Sequence, residues 1–200
     1  IAQSDGYSRW ITCTESRKEV HRLRSEYDGV VIGANTVRMD NPMLTVRDIE
    51  GRNPRRIIIT GSSPLPKDLR IFSDEEKYLT IVACTSEQRD NYSDLDSVTV
   101  WEIEKSPNGQ LSLMNFLIRA GKERVASLLV EGGSKLITSF LAHKLVDKIH
   151  IFTAPTILGS GLPTVTDIGI SRLDRAIRIR DARHKQVGTD IWTVGYPEWR

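Results

Sequence analysis

The sequence has little cysteine, almost no net charge and no long apolar run. Its two cysteines, Cys13 and Cys84, are far apart and have no partner at a metal-ligand spacing, which predicts two reduced thiols in a cytoplasmic protein. The formal charge is +2, so composition gives no argument for nucleic acid or an anionic membrane as a partner. No apolar stretch reaches the roughly 20 residues of a membrane helix, and no signal-peptide pattern is visible at Ile1.

Common catalytic patterns are also missing from the sequence. Its four histidines, at positions 21, 143, 150 and 184, show no metal-ligand spacing. No G-x-S-x-G nucleophile elbow is present. We therefore expect neither a metal site nor a serine hydrolase.

What the sequence does contain is a regular alternation of strand and helix patterns. Short apolar runs predict strands at 30–32, 44–47, 56–60, 79–83, 98–101, 127–130, 148–154, 176–183 and 190–194. Periodicity predicts helices at 12–27, 112–120 and 134–145, the first capped by Thr12 and the last by Ser134. Residues 34–42 are predicted to be a polar loop. This order predicts a single α/β domain over residues 1–200, with a central, mostly parallel sheet, flanking helices and antiparallel C-terminal strands.

The strongest chemical signal is Glu131-Gly132-Gly133-Ser134, between a predicted strand and a predicted helix. Glycine lets the backbone approach a ligand closely, and a helix N-terminus offers free N–H groups to a phosphate. A plain tight turn would have the same pattern. Glu131, at the end of the strand, needs a polar partner, which could be a substrate hydroxyl or amine, or a structural salt bridge.

Two further groups of residues could contact a ligand. Thr36 and Asp40 lie four positions apart, so one helical turn would bring them to the same side; alternatively, Asp40 only caps a turn. Arg24 and Arg47 suit a phosphate, because a guanidinium can bind it with two hydrogen bonds. Each could also be an ordinary solvated charge.

Taken together, these motifs resemble the reductase domain of riboflavin biosynthesis. The resemblance rests on ordered segments at 8–12, 20–24, 33–37, 41–47, 130–134, 145–147 and 154–159. It implies a dihydrofolate-reductase-like fold, NADPH as hydride donor, and a homodimer. The implied reaction reduces the ribosyl group of 5-amino-6-(5-phosphoribosylamino)uracil, or of its diamino-pyrimidinone equivalent, to ribityl.

The resemblance also implies roles for individual residues. The substrate-binding residues would be Ser8, Arg24, Leu44, Arg47 and Glu131, with Glu131 also the catalytic position. The cofactor-binding residues would be Trp10, Thr36, Asp40, Gly61, Gly133, Ser134, Lys135, Leu136, Ile137, Thr138 and Ser139. Two alternatives remain at this stage: a related reductase for another pterin or pyrimidine, which would not need Arg24 and Arg47, and a silent nucleotide-binding module.

The sequence departs from the family pattern in three places. The family's first strand, with its S-L-D-G segment, is not in this sequence. Thr60-Gly61-Ser62 stands where relatives often carry Asp-Ser beside the cofactor ribose, which bears on the preference for NADPH over NADH. The H-x-E and P-C-x-x-C motifs of the zinc deaminase fused to bacterial relatives are also absent, so we expect a stand-alone reductase or one half of a longer enzyme.

Overall fold

The computed structural model describes residues 11–61 and 63–199, which divide into two compact units. One unit is His21–Gly133; the other combines the described residues up to Val20 with those from Ser134 onward. The helices are α1 (Thr14–Glu26), α2 (Ala34–Asp40), α3 (Arg70–Ser73), α4 (Leu113–Lys122) and α5 (Ser134–Ala142). The strands are β1 (Gly29–Gly33), β2 (Arg55–Ile59), β3 (Thr80–Cys84), β4 (Thr99–Glu102), β5 (Leu128–Val130), β6 (Ile149–Thr153), β7 (Arg178–Val187) and β8 (Asp190–Glu198).

The unit 21–133 is built on a parallel sheet with the strand order β4-β3-β2-β1-β5. Its central strands are almost continuous apolar runs, as expected for parallel strands that are covered on both faces. Val31 pairs with Ile57 on one side and with Val130 on the other, and β3 is buried over its whole length. The carboxyl ends of β1 and β5 therefore open at the same edge of the sheet, where ligands bind in open α/β folds.

One core cluster of this unit lies where helix α2 and the 65–72 segment meet the sheet. Val30, Ile32 and Ile58 contribute from the strands, and Val37 contributes from α2. All of them are at most 3% exposed. Because α2 packs directly after β1, its first residues are fixed close to the end of that strand.

The second unit contains an antiparallel sheet in the order β6-β8-β7. Strands β7 and β8 form a hairpin whose turn includes Gly188, with a left-handed φ of +58°. A Cβ there would lie 2.7 Å from a Glu15 carboxylate oxygen and 2.8 Å from Cys13 Sγ, so glycine is required at this position for both reasons.

The same hairpin caps the start of α1. The Asp190 carboxylate accepts hydrogen bonds from the Cys13 backbone N–H at 2.8 Å and from the Ser16 hydroxyl at 2.6 Å. Helix α1 begins at Thr14, so the predicted N-cap role of Thr12 is wrong. Its cap is a carboxylate that lies 177 residues away in sequence, which no local pattern could reveal.

Three predicted segments are corrected. Residues 34–40 form helix α2 instead of a loop, and residues 44–47 are not a strand, because Leu44 has a left-handed φ of +55°. Helix α5 begins at Ser134 itself and ends at Ala142, so Ser134 is not its N-cap and the helix is shorter than expected.

The predicted fold class is confirmed: the central sheet is parallel, helices flank it, and the last strands are antiparallel. Within the described residues, no helix has the length and apolar character needed to cross a membrane. The expectation of a single domain stays a prediction.

Candidate active site

Most of the predicted site residues fall in the described part of the chain. Ser8 and Trp10 lie outside it, so their contacts stay predictions. Those in the unit 21–133 are found on α1, on α2, in the segment after α2 and at the end of β5. The structure shows which of them meet.

Arg24 and Glu131 form a bidentate ion pair. Arg24 lies in the last turn of α1 and Glu131 directly follows β5. The Arg24 Nε donates to Oε1 at 2.7 Å and Nη2 donates to Oε2 at 2.6 Å, while only 12% and 15% of the two side chains are exposed. Burial alone would lower the pKa of Arg24, but the charge and hydrogen bonds of Glu131 outweigh it and raise that pKa. Of the partners that the sequence left open for Glu131, the structure shows the ion pair.

The segment Leu44–Arg47 is held against α1 by its backbone. The Thr45 carbonyl accepts a hydrogen bond from Arg24 Nη1 at 3.0 Å. Leu44 is 2% exposed and belongs to the core, so its predicted contact with the substrate stays a prediction. The predicted neighbours Arg24, Leu44 and Arg47 are therefore brought together, through an irregular loop instead of the expected strand.

Arg47 lies in a region of excess positive charge. Its Nη1 contacts the Thr45 hydroxyl at 3.2 Å, and among the described residues it forms no ion pair within 4.0 Å. Partial burial lowers the pKa of Arg47, and the charges of Arg24 and Arg70 lower it further, although Asp48 and Glu131 act in the opposite direction. An exposed guanidinium with a second one nearby is suited to binding an anion.

His21 is a contact that sequence reasoning missed. It lies three residues before Arg24 on α1, and its side chain is almost fully buried. Its Nδ1 is 3.1 Å from the Thr45 carbonyl oxygen and 3.2 Å from the Arg47 backbone nitrogen. The one available signal was its i,i+3 spacing from Arg24, which places both residues on the same face of the helix.

Arg56 was also missed, because it begins an otherwise apolar strand. It is 0% exposed and forms a bidentate pair with Asp74, at 2.6 and 2.8 Å. Its Nη1 also donates to the Met43 carbonyl at 3.0 Å, directly before Leu44. The loop that carries Arg47 is thus anchored at its start by a buried guanidinium.

Thr36 and Gly133 meet at the carboxyl edge of the parallel sheet. Gly133 has a φ of +70°, and a Cβ there would lie 2.7 Å from the Thr36 hydroxyl oxygen. A Cβ on Gly132 would lie 2.9 Å from Ile32 Cγ1. Asp40 is exposed one turn after Thr36 on the same helix. The predicted Thr36, Asp40 and Gly133 therefore belong to one edge of the sheet, and the two glycines keep the backbone there free of side chains.

The other predicted cofactor contacts occupy the first turns of α5, in the second unit: Ser134, Lys135, Leu136, Ile137, Thr138 and Ser139. The Ser134 hydroxyl donates to the Pro163 carbonyl, and the Thr138 hydroxyl oxygen accepts from the Thr166 N–H at 2.8 Å. These two hydroxyls are thus engaged by the loop that follows β6. The N–H groups of the first helical turn are what this helix offers to a ligand.

Gly61 follows β2 and lies in open space, since a Cβ there would meet nothing within 4 Å. The preceding Thr60 is 3% exposed and its hydroxyl donates to the Ala83 carbonyl at 3.3 Å. Glycine is not required at position 61 by packing. Its predicted contact with the cofactor stays a prediction.

Comparison with known proteins places this geometry in context. The chain is 32% identical over 192 residues to the riboflavin biosynthesis protein RibD of Aquifex aeolicus. The aligned region covers 96% of this chain and 52% of that protein. The chain spans about half the length of the curated RibD relatives that it matches.

Solved structures agree with the sequence comparison. RibD from Acinetobacter baumannii matches with a TM-score of 0.79 and 25% identity, over 98% of this chain and 54% of that one. A diaminohydroxyphosphoribosylaminopyrimidine deaminase/5-amino-6-(5-phosphoribosylamino)uracil reductase from Thermotoga maritima matches with a TM-score of 0.76 and 30% identity, over 99% of this chain and 53% of that one. The family model described as the RibD C-terminal domain matches residues 1–193. The chain therefore belongs to the RibD C-terminal domain family.

Proposed function

We propose that this chain reduces the ribosyl group of 5-amino-6-(5-phosphoribosylamino)uracil, or of its diamino-pyrimidinone equivalent, to a ribityl group, with NADPH as the hydride donor. The observation that carries the proposal is the excess positive charge at Arg47, beside the Arg24–Glu131 pair. A phosphate is one of the anions that a guanidinium group can bind with two hydrogen bonds. The name of the Thermotoga maritima relative supports the choice of substrate.

In this proposal the substrate phosphate binds Arg47, whose side chain is exposed and without an ion-pair partner among the described residues. Arg24 contributes its charge, although three of its five N–H groups are already used by Glu131 and the Thr45 carbonyl. Arg47 is therefore the main phosphate ligand, and Arg24 is in addition the residue that orients Glu131.

Glu131 acts on the sugar and not on the phosphate, because a carboxylate repels an anion. Each of its oxygens accepts one hydrogen bond from Arg24 and keeps a second lone pair. Those lone pairs can accept hydrogen bonds from substrate hydroxyl or amino groups. Held by a bidentate guanidinium, Glu131 fixes the reacting carbon in place, which is the main protein contribution to a hydride transfer.

The cofactor fits the edge formed by Thr36, Gly132 and Gly133. A Cβ at either glycine would collide with the side chain of Ile32 or Thr36, so both positions require glycine, whose backbone a dinucleotide could approach closely. Within the unit 21–133, Thr36 and Asp40 would contact the dinucleotide along this edge. When bound, NADPH supplies the hydride.

The proposal is tested by following NADPH oxidation by absorbance with 5-amino-6-(5-phosphoribosylamino)uracil, on protein whose intact mass is checked. The dephosphorylated ribosylaminouracil is the matched control substrate. We expect turnover with the phosphorylated compound, a KM at least tenfold higher without the phosphate, and poorer turnover with NADH. Binding of NADPH without turnover of either pyrimidine would contradict the proposal and favour a silent nucleotide-binding module.

We also propose that the chain forms a homodimer. Ile151 on β6 and Ile191 on β8 are 40% and 51% exposed. Their strand register places them on the same face of the antiparallel sheet, and an exposed apolar face favours association. Light scattering coupled to size-exclusion chromatography should give twice the monomer mass, and a monomer at micromolar concentration would contradict this part of the proposal.

A further inference from the structure

Helix α1 holds the phosphate-binding segment at two successive points. Arg24 donates to the Thr45 carbonyl at 3.0 Å. His21, three residues earlier and therefore on the same helix face, places its Nδ1 at 3.2 Å from the Arg47 backbone nitrogen. The two helix residues thus contact positions 45 and 47 of the segment, on either side of Val46.

The contacts of His21 select one form of its ring. Its Nδ1 also lies 3.1 Å from the Thr45 carbonyl oxygen, but that oxygen already accepts from Arg24. The Arg47 N–H points at Nδ1 and can be satisfied only by a lone pair on that atom. The ring form with its proton on Nε2 satisfies the Arg47 N–H and leaves the Thr45 carbonyl to Arg24, without a hydrogen bond from His21. Burial lowers the pKa of His21, and the charges of Arg24 and Arg47 lower it further, so the neutral ring that this arrangement needs is favoured.

The segment needs such support because its backbone is unfavourable by itself. Leu44 and Asp48 have left-handed φ values of +55° and +64°, which residues other than glycine adopt at a cost. They flank residues 45–47, of which α1 contacts the first and the last. The Val46 N–H donates to Asn53 Oδ1 at 2.7 Å, and the hydrogen bond from the Arg47 N–H to His21 fixes the backbone at the next residue.

We infer that His21 is a positioning residue for the phosphate of the substrate, and that its Nδ1 holds the Arg47 backbone so that the guanidinium faces the anion. The inference rests on the proposed function, because it takes Arg47 as the phosphate ligand. His21 does not touch the substrate itself. Its contribution is therefore to substrate affinity, with hydride transfer and cofactor binding left largely unaffected.

The test compares His21→Leu with His21→Asn. Leucine removes the acceptor while keeping a similar volume, whereas the Asn Oδ1 lies where the ring Nδ1 was and can accept from the Arg47 N–H. We expect His21→Leu to raise KM for the phosphorylated substrate about tenfold, the value of one lost hydrogen bond in this range. Its kcat and its KM for NADPH should change less than about twofold, and His21→Asn should recover most of the affinity. The inhibition constant of inorganic phosphate, used as a competitor, should rise in parallel with KM.

Equal effects of the two substitutions, or a loss in kcat and NADPH binding as large as the loss in KM, would overturn the inference and leave His21 as a packing residue. Arg47→Ala distinguishes a failure of the proposed phosphate site from a failure of the proposed role of His21. If Arg47→Ala leaves KM and phosphate inhibition at the wild-type level, the proposed phosphate site is wrong. If it raises both while His21→Leu raises neither, only the role of His21 is wrong.

Nitrogen NMR of the wild-type His21 ring is a test that does not depend on how a variant folds. A proton on Nδ1 at neutral pH contradicts the inference, and an unprotonated Nδ1 supports it.

Discussion

Replacing Arg56 by methionine should destabilise the unit 21–133 strongly. The side chain is 0% exposed and its partner Asp74 is 14% exposed. Besides Asp74, it donates to the carbonyls of Met43 and Ile71 and to the Thr80 hydroxyl, at 2.7–3.0 Å. Methionine keeps the unbranched stem but removes the charge and all of these donors.

The expected loss of stability follows from the Asp74 carboxylate, which would stay buried without its partner. Breaking a buried pair by removing one partner costs about 3–5 kcal/mol, because the other charge stays buried without compensation. A domain has a free energy of unfolding of about 5–15 kcal/mol in total. With a urea m-value of about 2 kcal/mol/M, the unfolding midpoint of Arg56→Met should fall by about 2 M.

The assay is urea unfolding followed by circular dichroism, with an exposed ion pair as control. Lys67 binds both oxygens of Asp94, at 2.6 and 2.7 Å, but the two side chains are 50% and 62% exposed. Lys67→Met should leave the midpoint near the wild-type value, since solvent screens such pairs. Adding Asp74→Leu to Arg56→Met should recover part of the loss, because no charge is then left buried. Equal midpoints for Arg56→Met and Lys67→Met would refute the reasoning.

Three further predictions concern the site. Arg47→Ala should raise KM for the phosphorylated substrate, with a loss of binding free energy of about 2 kcal/mol, and leave KM for its dephosphorylated analogue unchanged. An equal change in the steady-state kinetics of both substrates would count against a phosphate contact. Gly133→Ala should weaken NADPH binding measured by calorimetry, because its Cβ would lie 2.7 Å from the Thr36 hydroxyl at a left-handed φ. The control is Gly121→Ala, whose Cβ meets nothing within 4 Å and which should bind NADPH as wild type does. Burial and the neighbouring guanidinium groups lower the pKa of His21, so the unfolded chain takes up its proton first and stability falls as the pH drops below the unfolded value of about 6.5. Urea unfolding should therefore show a larger loss between pH 7.5 and pH 5 for wild type than for His21→Asn; parallel losses would contradict it.

The strands of the parallel sheet were predictable because each is a short run of β-branched or apolar residues between turn residues. β2 and β3 begin within one residue of the predicted positions. Residues 34–40 misled because Asn and Thr favour loops, while Ala34 and Val37, buried in the core, stabilise a helix there. Helix propensity describes the local sequence only, so it does not include the stabilisation that a helix gains by packing against the sheet.

The segment 44–47 shows the opposite error. Leu, Thr and Val alternate as a strand would, yet Leu44 turns into the left-handed region so that its side chain enters the core. The contacts that fix this turn come from His21, Arg24 and Arg56, and they span 13 to 24 positions in sequence. In the same way, the partner of Glu131 lies 107 residues earlier, so sequence alone left its choice between substrate and salt bridge open.

The carboxylate of Asp190 that caps α1 links the order of synthesis to the order of folding. A ribosome adds about 5–20 residues per second, so the 177 residues between Cys13 and Asp190 take roughly 10 to 35 s to emerge after the helix start does. The unit 21–133 has all of its strands well before then. The start of α1 must wait for β8, so a nascent chain that stalls before Asp190 would carry a folded sheet and an uncapped first helix, which a protease could recognise as unfinished.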